Sequence, residues 1–406
     1  MDIPNPLFSK RAFAAALTIA LPMTASAAAT NDELEAELEL LRNQVSALSS
    51  EMQQATEWKS PNTLVHLAGY ADVGYVKTEG EDGSFVIGSF SPIFHFQYRD
   101  IVMLESELEI EIEDDGATEI NLEYLTIDWF ISDYATLLAG KFLSPIGQFR
   151  QNLHPSWINK LPSAPPGFGH DGAAPVSELG LQFRGGVPLG SMRGNYAIYV
   201  ANGPELHSVT EDGAEFEIEG VEAEALNVDS DGEKVVGGRF AILPIPAIEV
   251  GVSAATGKAT VTEVENESSP PAGPPSGSIT DETPRDYTVV GADFVWFTGN
   301  MSLRGEYVKT DIGEATAGAT AGEGAVWETW YTQLAYRIPN TKVEGVIRYT
   351  DFDSAHASED QKQTAVGINY LITNNFIAKL AYESNSNDLG SPADDDRTLV
   401  QLAYGF

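Results

Sequence analysis

The most strongly patterned stretch of the chain is Val102–Glu113, V-M-L-E-S-E-L-E-I-E-I-E. Leu104, Leu108, Ile110 and Ile112 fall on one parity and Glu105, Glu107, Glu109, Glu111 and Glu113 on the other. A strand of period two would therefore be oily on one face and anionic on the other. A helix does not account for the pattern, because at about 100° per residue the glutamates spread around the whole cylinder and leave no apolar stripe. The length of the alternation points to one face in lipid and the other on a water-filled lumen.

The same test predicts sixteen strands from Thr63 onward. The first half holds Leu64–Val76, Val86–Gln97, Val102–Asp114, Glu119–Phe130, Thr136–Phe142, Ser177–Arg184, Met192–Asn202 and Val235–Leu243. The second holds Ala247–Gly257, Tyr287–Phe297, Met301–Asp311, Thr329–Ile338, Thr341–Asp351, Gln363–Leu371, Phe376–Glu383 and Thr398–Phe406. Odd-to-even connections are long and polar (Lys77–Phe85, Leu143–Val176, Gly203–Lys234, Lys258–Asp286, Ile312–Glu328, Phe352–Lys362, Ser384–Arg397), with only Asp115–Thr118 short. Even-to-odd connections are tight, as at Tyr98–Ile101, Thr298–Asn300 and Pro339-Asn340. A soluble sandwich has no reason to keep its long loops at one end. An outer-membrane barrel does, with long loops outside, short turns and both termini in the periplasm, and closure that removes lipid-exposed strand edges. The fold class is thus all-β, a transmembrane antiparallel β-barrel of about sixteen strands spanning 63–406.

Ahead of the strands the period changes. Leu34, Leu38, Leu41, Val45, Leu48 and Met52 step by four and three along a heptad seam, and Asn31 and Asp32 can cap its start. A short α-helical coiled coil is predicted over 28–55, followed by a linker over 56–62. The alternative is an amphipathic helix that lies on the barrel or plugs it. Lys10 and Arg11 precede the apolar run Ala12–Met23, and Ala25-Ser26-Ala27 supplies small residues for cleavage, so 1–27 reads as a secretory signal. That run falls short of the roughly 20 apolar residues a spanning helix needs.

Composition narrows the chemistry. With no cysteine, disulfides, thiolate metal sites and cysteine nucleophiles are absent, and a net charge of −37 argues against nucleic acid as a partner. None of His66, His95, His154, His170, His207 and His356 sits in a catalytic motif, and Gly-x-Ser-x-Gly does not occur. The expectation is no enzyme, no cofactor and no resident metal.

Aromatic residues near strand ends suit an interfacial girdle: Tyr70, Tyr75, Trp129, Tyr196, Tyr199, Trp296, Tyr307, Trp330, Tyr336, Tyr349, Tyr370 and Tyr382. In the last predicted strand Val400, Leu402, Tyr404 and Phe406 share the lipid face, and a strand ending in phenylalanine resembles the assembly signal of bacterial outer-membrane proteins. Ala139-Gly-Lys-Phe-Leu-Ser-Pro-Ile-Gly147, a long loop, and Glu178-Leu-Gly-Leu-Gln-Phe-Arg-Gly185 resemble the strand, third loop and strand of the phosphate-selective porin family in its broad sense. The heptads are similar to those of members with a periplasmic coiled coil. The resemblance implies a homotrimeric porin in outer-membrane lipid of a Gram-negative bacterium. It does not carry phosphate selectivity over, because that rests on closely spaced lumen lysines and arginines, whereas here lysines are few and the third strand is acidic.

Parity then assigns the lumen. Glu105, Glu107, Glu109, Glu111 and Glu123, with Glu119 and Asn121, form an expected acidic wall. Arg184, Arg193, Arg239, Arg304, Arg337, Arg348, Lys379 and Lys141 form an expected basic one. Opposed walls impose a transverse field that filters solutes by charge. The alternative is that these are solvated lumen faces with no filter. The Pro- and Gly-rich loop 143–176, with Arg150, His154, Trp157, Lys160, His170 and Asp171, is the expected constriction; its alternative is a surface loop against a neighbouring subunit. Gly203–Lys234 is strongly acidic and expected to gather cations at the outer mouth. Asp229-Ser-Asp-Gly-Glu233 and Asp394-Asp-Asp396 lack the full spacing of a calcium loop and read as solvated turns. The expectation is passive diffusion of small hydrophilic solutes or ions with a cation preference. The other class is a structural or adhesive barrel with a closed lumen and acidic loops that bind divalent ions.

Overall fold

The computed structural model describes residues 63–406 apart from 114–115, 170–171, 211–215, 223–228, 230–231, 267–275, 280–281, 323 and 388–391. The expected signal, coiled coil with its seam of Leu34, Leu38, Leu41, Val45, Leu48 and Met52, and linker lie outside the described residues, as do His170 and Asp171.

Among the described residues there are nineteen strands: β1 (Thr63–Thr78), β2 (Ser84–Tyr98), β3 (Val102–Ile112), β4 (Thr118–Ser132), β5 (Ala135–Leu143), β6 (Ser177–Leu189), β7 (Met192–Asn202), β8 (Glu205–Thr210), β9 (Phe216–Glu222) and β10 (Lys234–Ile245). Then come β11 (Ile248–Asn266), β12 (Gly277–Ser278), β13 (Arg285–Thr298), β14 (Met301–Ile312), β15 (Ala325–Arg337), β16 (Val343–Asp353), β17 (Gln361–Leu371), β18 (Phe376–Ser386) and β19 (Arg397–Gly405). All but β8, β9 and β12 form one antiparallel sheet that closes on itself, β19 pairing β1 from Tyr70↔Gly405 to Thr78↔Arg397. The barrel therefore has the sixteen strands that the alternation implies, and closure leaves it no edge to hydrogen-bond with lipid.

Alternation sets which way each side chain points. In β13, residues on the parity of Arg285 are buried down to Val295 while Val290, Phe294 and Trp296 are exposed on the outer surface. Short connections cluster at one end, and four of them place a residue in the left-handed region: Arg99, Gly190, Gly299 and Asn340. Tight hairpins need that backbone to match strand twist, and glycine or asparagine adopts it at least cost. Trp129, Trp296, Trp330, Tyr336, Tyr349, Tyr370 and Tyr382 stand exposed on the outer face. Tyr70 and Tyr199 correct the girdle reading: both point inward and are buried, because parity places them on the lumen side.

Two departures from simple alternation matter for the lumen. The β3–β4 register shifts between Glu107 and Leu108: Glu107 faces Tyr124 and Leu108 faces Leu122. The residue skipped is Glu123, a bulge that flips β4 parity. Glu123 is inward on one side of it, and Tyr124, Thr126 and Asp128 are inward on the other. The second departure is in the connection Gly203–Lys234, expected to be a solvated acidic loop. Its β8–β9 hairpin runs parallel to the far end of β11 and forms a small separate sheet with β12. Phe216 and Ile218 alternate with Glu217, so the hairpin has an apolar face to bury.

That face is buried inside the barrel. Leu206 and Ile218 join Ile146, Phe149, Phe168 and Ala173 of the 143–176 loop, together with Val289, Val308, Trp327, Tyr331 and Phe352 from the wall, in one dry cluster. A second cluster seats Leu161 of the loop on Ala335, Val346, Ala365 and Ala381. The long-loop half of the lumen is thus packed against β5, β7, β10, β11 and β13–β16.

Candidate functional site

The 143–176 loop leaves β5, makes a π-helical turn at Phe149–Leu153 and crosses the lumen to the opposite wall. It is held mainly by backbone groups. Glu306 accepts the backbone N–H groups of Gln148 (2.9 Å) and Phe149 (3.1 Å). Thr310 and Thr329 donate to the carbonyls of Ala173 (2.6 Å) and Pro166 (2.8 Å). Arg348 donates to the Ser163 and Ala164 carbonyls at 3.0 and 3.1 Å, and Asn369 to that of Lys160 at 2.9 Å. Lys379 donates to the carbonyls of Ser156 and, at 3.4 Å, Leu161. Small wall residues make room: the Trp157 ring lies on the backbone of Gly405, and Leu161 on Gly367, where a β-carbon would overlap either side chain.

These anchors change the role of the expected bases. Arg348 and Lys379 are inward but buried at 1 % and 2 % exposure beneath the loop, so neither faces a passing solute. Lys160 pairs with Glu344 at 3.0 Å. Arg239 is bracketed by Asp293 (2.6 Å) and Glu249 (2.8 Å), and Arg184 reaches Asp128 at 3.2 Å. Arg193 and Arg337 lie exposed at the short-turn end on the inward parity. Arg304 faces the lumen with no hydrogen bond or ion pair among the described residues, and its Nε is buried. Lys141 is a correction: it pairs Leu125 and shares the outward parity of Leu137 and Ala139, because Leu138 and Phe142 take the inward positions of β5. Arg150 is buried within the loop.

The acids form a ladder. Glu105, Glu107, Glu109 and Glu111 descend β3, facing Thr126, Tyr124, Asn121 and Glu119 of β4, with Glu123 at the bulge. Glu105 accepts from Tyr124 at 3.3 Å and lies 3.1 Å from His95 Nε2. Glu107 is buried, with His154 Nε2 of the loop at 3.7 Å. The open space follows this ladder. One cavity of about 290 Å³ is lined by Glu105, Glu107, Tyr124 and Thr126 on the wall and by Gln151, Asn152 and His154 on the loop. A second of about 540 Å³ lies toward the short turns, lined by Arg184, Asn195, Arg239, Glu249 and Arg304, and both share Gln151, Asn152 and Arg184.

Parity applied to the bases alone missed the acids opposite them. Asp128, Glu249, Asp293, Glu306, Glu344 and Glu383 all point inward, and Glu383 is held by Arg397 at 2.7 Å. Opposed acidic and basic walls are therefore replaced by an acidic ladder and a wall on which acids pair with Arg184, Arg239 and Arg348. Of the calcium candidates, Asp229 accepts the Gly232 N–H at 2.8 Å and Asp394 that of Asn387 at 3.1 Å, which is turn chemistry. Asp396 takes hydrogen bonds from the Tyr382 hydroxyl and the Asn385 N–H, and these hold its carboxyl below the ordinary range. No group of three or more His, Cys, Asp or Glu is arranged to hold a metal among the described residues.

A closed sixteen-stranded barrel with an inward loop and a charged lumen is the architecture of porin-type barrels. Residues 259–406 match the family model of phosphate-selective porin O and P. Solved structures share the fold. The anion-selective porin from Comamonas acidovorans aligns with TM-score 0.56 at 14% identity over 85% of this chain and 100% of its own. Salmonella typhi OmpF in complex with daunomycin gives 0.54 at 14% over 85% and 98%. OmpT of Vibrio cholerae, an outer membrane protein in a trimer form, gives 0.53 at 10% over 85% and 99%. No curated protein sequence matches the chain.

Proposed function

We propose that the chain is a homotrimeric outer-membrane porin of a Gram-negative bacterium that passes small hydrophilic solutes or ions by diffusion, with a preference for cations. The observation that carries the preference is the placement of the open space. It runs beside Glu105 and Glu107, whereas Arg348 and Lys379 are sealed beneath the loop and Arg239 is neutralised by two carboxylates. Selectivity follows the charges at the narrowest water-filled section and not the total on the wall. The trimer rests on the family likeness and on the trimer form named for Vibrio cholerae OmpT.

A second reading is anion preference. It is favoured by the family description, by the name of the Comamonas porin, and by Arg304, whose unpartnered guanidinium lines the larger cavity. Single-channel currents in a planar bilayer under a potassium chloride gradient separate the two. A reversal potential of the sign for potassium supports the acidic ladder as the filter; the opposite sign moves the filter to Arg304 and Arg184. Silence from folded protein overturns the open pore and favours a closed barrel, to which the dry packing of half the lumen would then belong.

A further inference from the structure

Across one rung of the sheet, His66 of β1 stands directly opposite His95 of β2. Their Nδ1 atoms are 3.3 Å apart, the ring centroids 5.5 Å apart, and the planes within 27° of each other. The pair sits on the lumen face near the short-turn end, next to the acidic ladder, and the pore reading makes no use of it. We propose that His66 and His95 form a binding site for a late first-row divalent metal ion, Zn²⁺, Ni²⁺ or Cu²⁺, on the wall of the pore.

Three features support the site. The first is spacing: two imidazole nitrogens bound to one tetrahedral ion at about 2.0–2.1 Å stand roughly 3.3 Å apart. The two Nδ1 atoms already have that separation, and the sheet register fixes the β-carbons on which the rings turn. Binding therefore needs rotation of the rings and no movement of the backbone.

The second is the tautomer. His95 Nε2 lies 3.1 Å from Glu105 Oε1, and an ionised carboxylate only accepts, so Nε2 carries the proton. The lone pair of His95 is then on Nδ1, aimed at His66. Without metal, His66 donates its Nδ1 proton into that lone pair; with metal, the proton moves to Nε2 of His66 and both Nδ1 lone pairs reach the ion. Tyr124 donates to the same Glu105 oxygen at 3.3 Å and holds the carboxylate in place. A carboxylate behind a ligating imidazole is the arrangement that fixes the tautomer and orients the ring.

The third is chemistry of selection and supply. Paired imidazoles favour late first-row ions over magnesium or calcium, which seek oxygen. The neighbouring glutamates raise the local concentration of any cation. With two protein ligands, water fills the remaining positions, so the ion exchanges readily, as suits a site on a diffusion path.

The test is calorimetric titration of the full-length protein in detergent with NiCl₂ at pH 7.5 in a non-chelating buffer. It does not depend on conduction, so it stands or falls apart from the porin reading. We expect one saturable Ni²⁺ site per chain, at least tenfold weaker in His66→Ala and in His95→Ala, and about 10–100-fold weaker in Glu105→Gln, which keeps both imidazoles. Mg²⁺ gives no saturable site. In bilayers, micromolar Ni²⁺ reduces the wild-type current reversibly and leaves the His66→Ala current unchanged. No saturable Ni²⁺ binding by the wild type overturns the proposal. So does unchanged affinity in both histidine variants, or Mg²⁺ binding that competes equally.

Discussion

Arg348 shows how a residue chosen for one role performs another. Parity places it on the lumen, yet its guanidinium is spent on the Ser163 and Ala164 carbonyls and on Gln363 at 2.8 Å, with Glu383 at 3.8 Å. Replacing it by methionine keeps the bulk and leaves those acceptors unpaired, at about 1–3 kcal/mol for each buried group. Arg348→Met should lower unfolding stability by roughly 3 kcal/mol in a denaturant titration. It should also open the loop to tryptic cleavage at Lys160. An intact loop and unchanged stability would mean that the other anchors suffice. From sequence, inward direction was legible for Arg184, Arg239, Arg304, Arg348 and Lys379, because period two needs only a parity. Their partners required a fold: Arg348 and Ser163 are 185 residues apart. Lys141 was misread for a physical reason, since the β5 lumen face is itself apolar where Leu138 and Phe142 line the cavity beside the loop.

Among the elements, the sixteen barrel strands were legible because lipid on one side and water on the other enforce strict alternation. The β8–β9 hairpin carried the same signal in Phe216-Glu217-Ile218, hidden among acids that suggested only a solvated loop. The Glu123 bulge was not legible, since a parity flip in β4 shows only once β3 is in register beside it. It also makes a sharp test. Deleting Glu123 removes the extra residue, so that Leu122 and Tyr124 become neighbours opposite Leu108 and Glu107 while Asn121, Tyr124, Thr126 and Asp128 keep the lumen face. The deletion should therefore retain the heat-modifiable folded band on gels, as should Glu123→Gln; loss of the band in the deletion alone would show that the bulge itself is required.

For the whole molecule, the open space runs from the acidic cavity beside Glu105 and Glu107 into a larger one lined by Arg184, Arg239, Arg304 and Glu249. Glu105→Gln with Glu107→Gln should reduce the cation-to-anion permeability ratio roughly threefold, the effect of about 0.7 kcal/mol of lost attraction to a solvated ion a few ångströms away. The readout is reversal potential under a salt gradient. No change would place the filter elsewhere, and Arg304→Gln would then be the variant to compare. Charge content alone could not locate this path, because a net charge of −37 is spread over loops, turns and both faces of the loop's anchorage.

The way the loop is tethered also bears on biogenesis. The loop is emitted early, after β5, but most of its fasteners sit on later strands, from Ser253 on β11 and Asp293 on β13 to Lys379 on β18. Until those late segments arrive, the early strands offer the loop little beyond the Ser144–Glu178 and His154–Glu107 contacts. Sealing the seam between β1 and β19 and installing the sieve are thus one terminal event. A chain halted before β14 would therefore carry the loop without most of its anchors, and the loop takes its final seat only as the barrel closes.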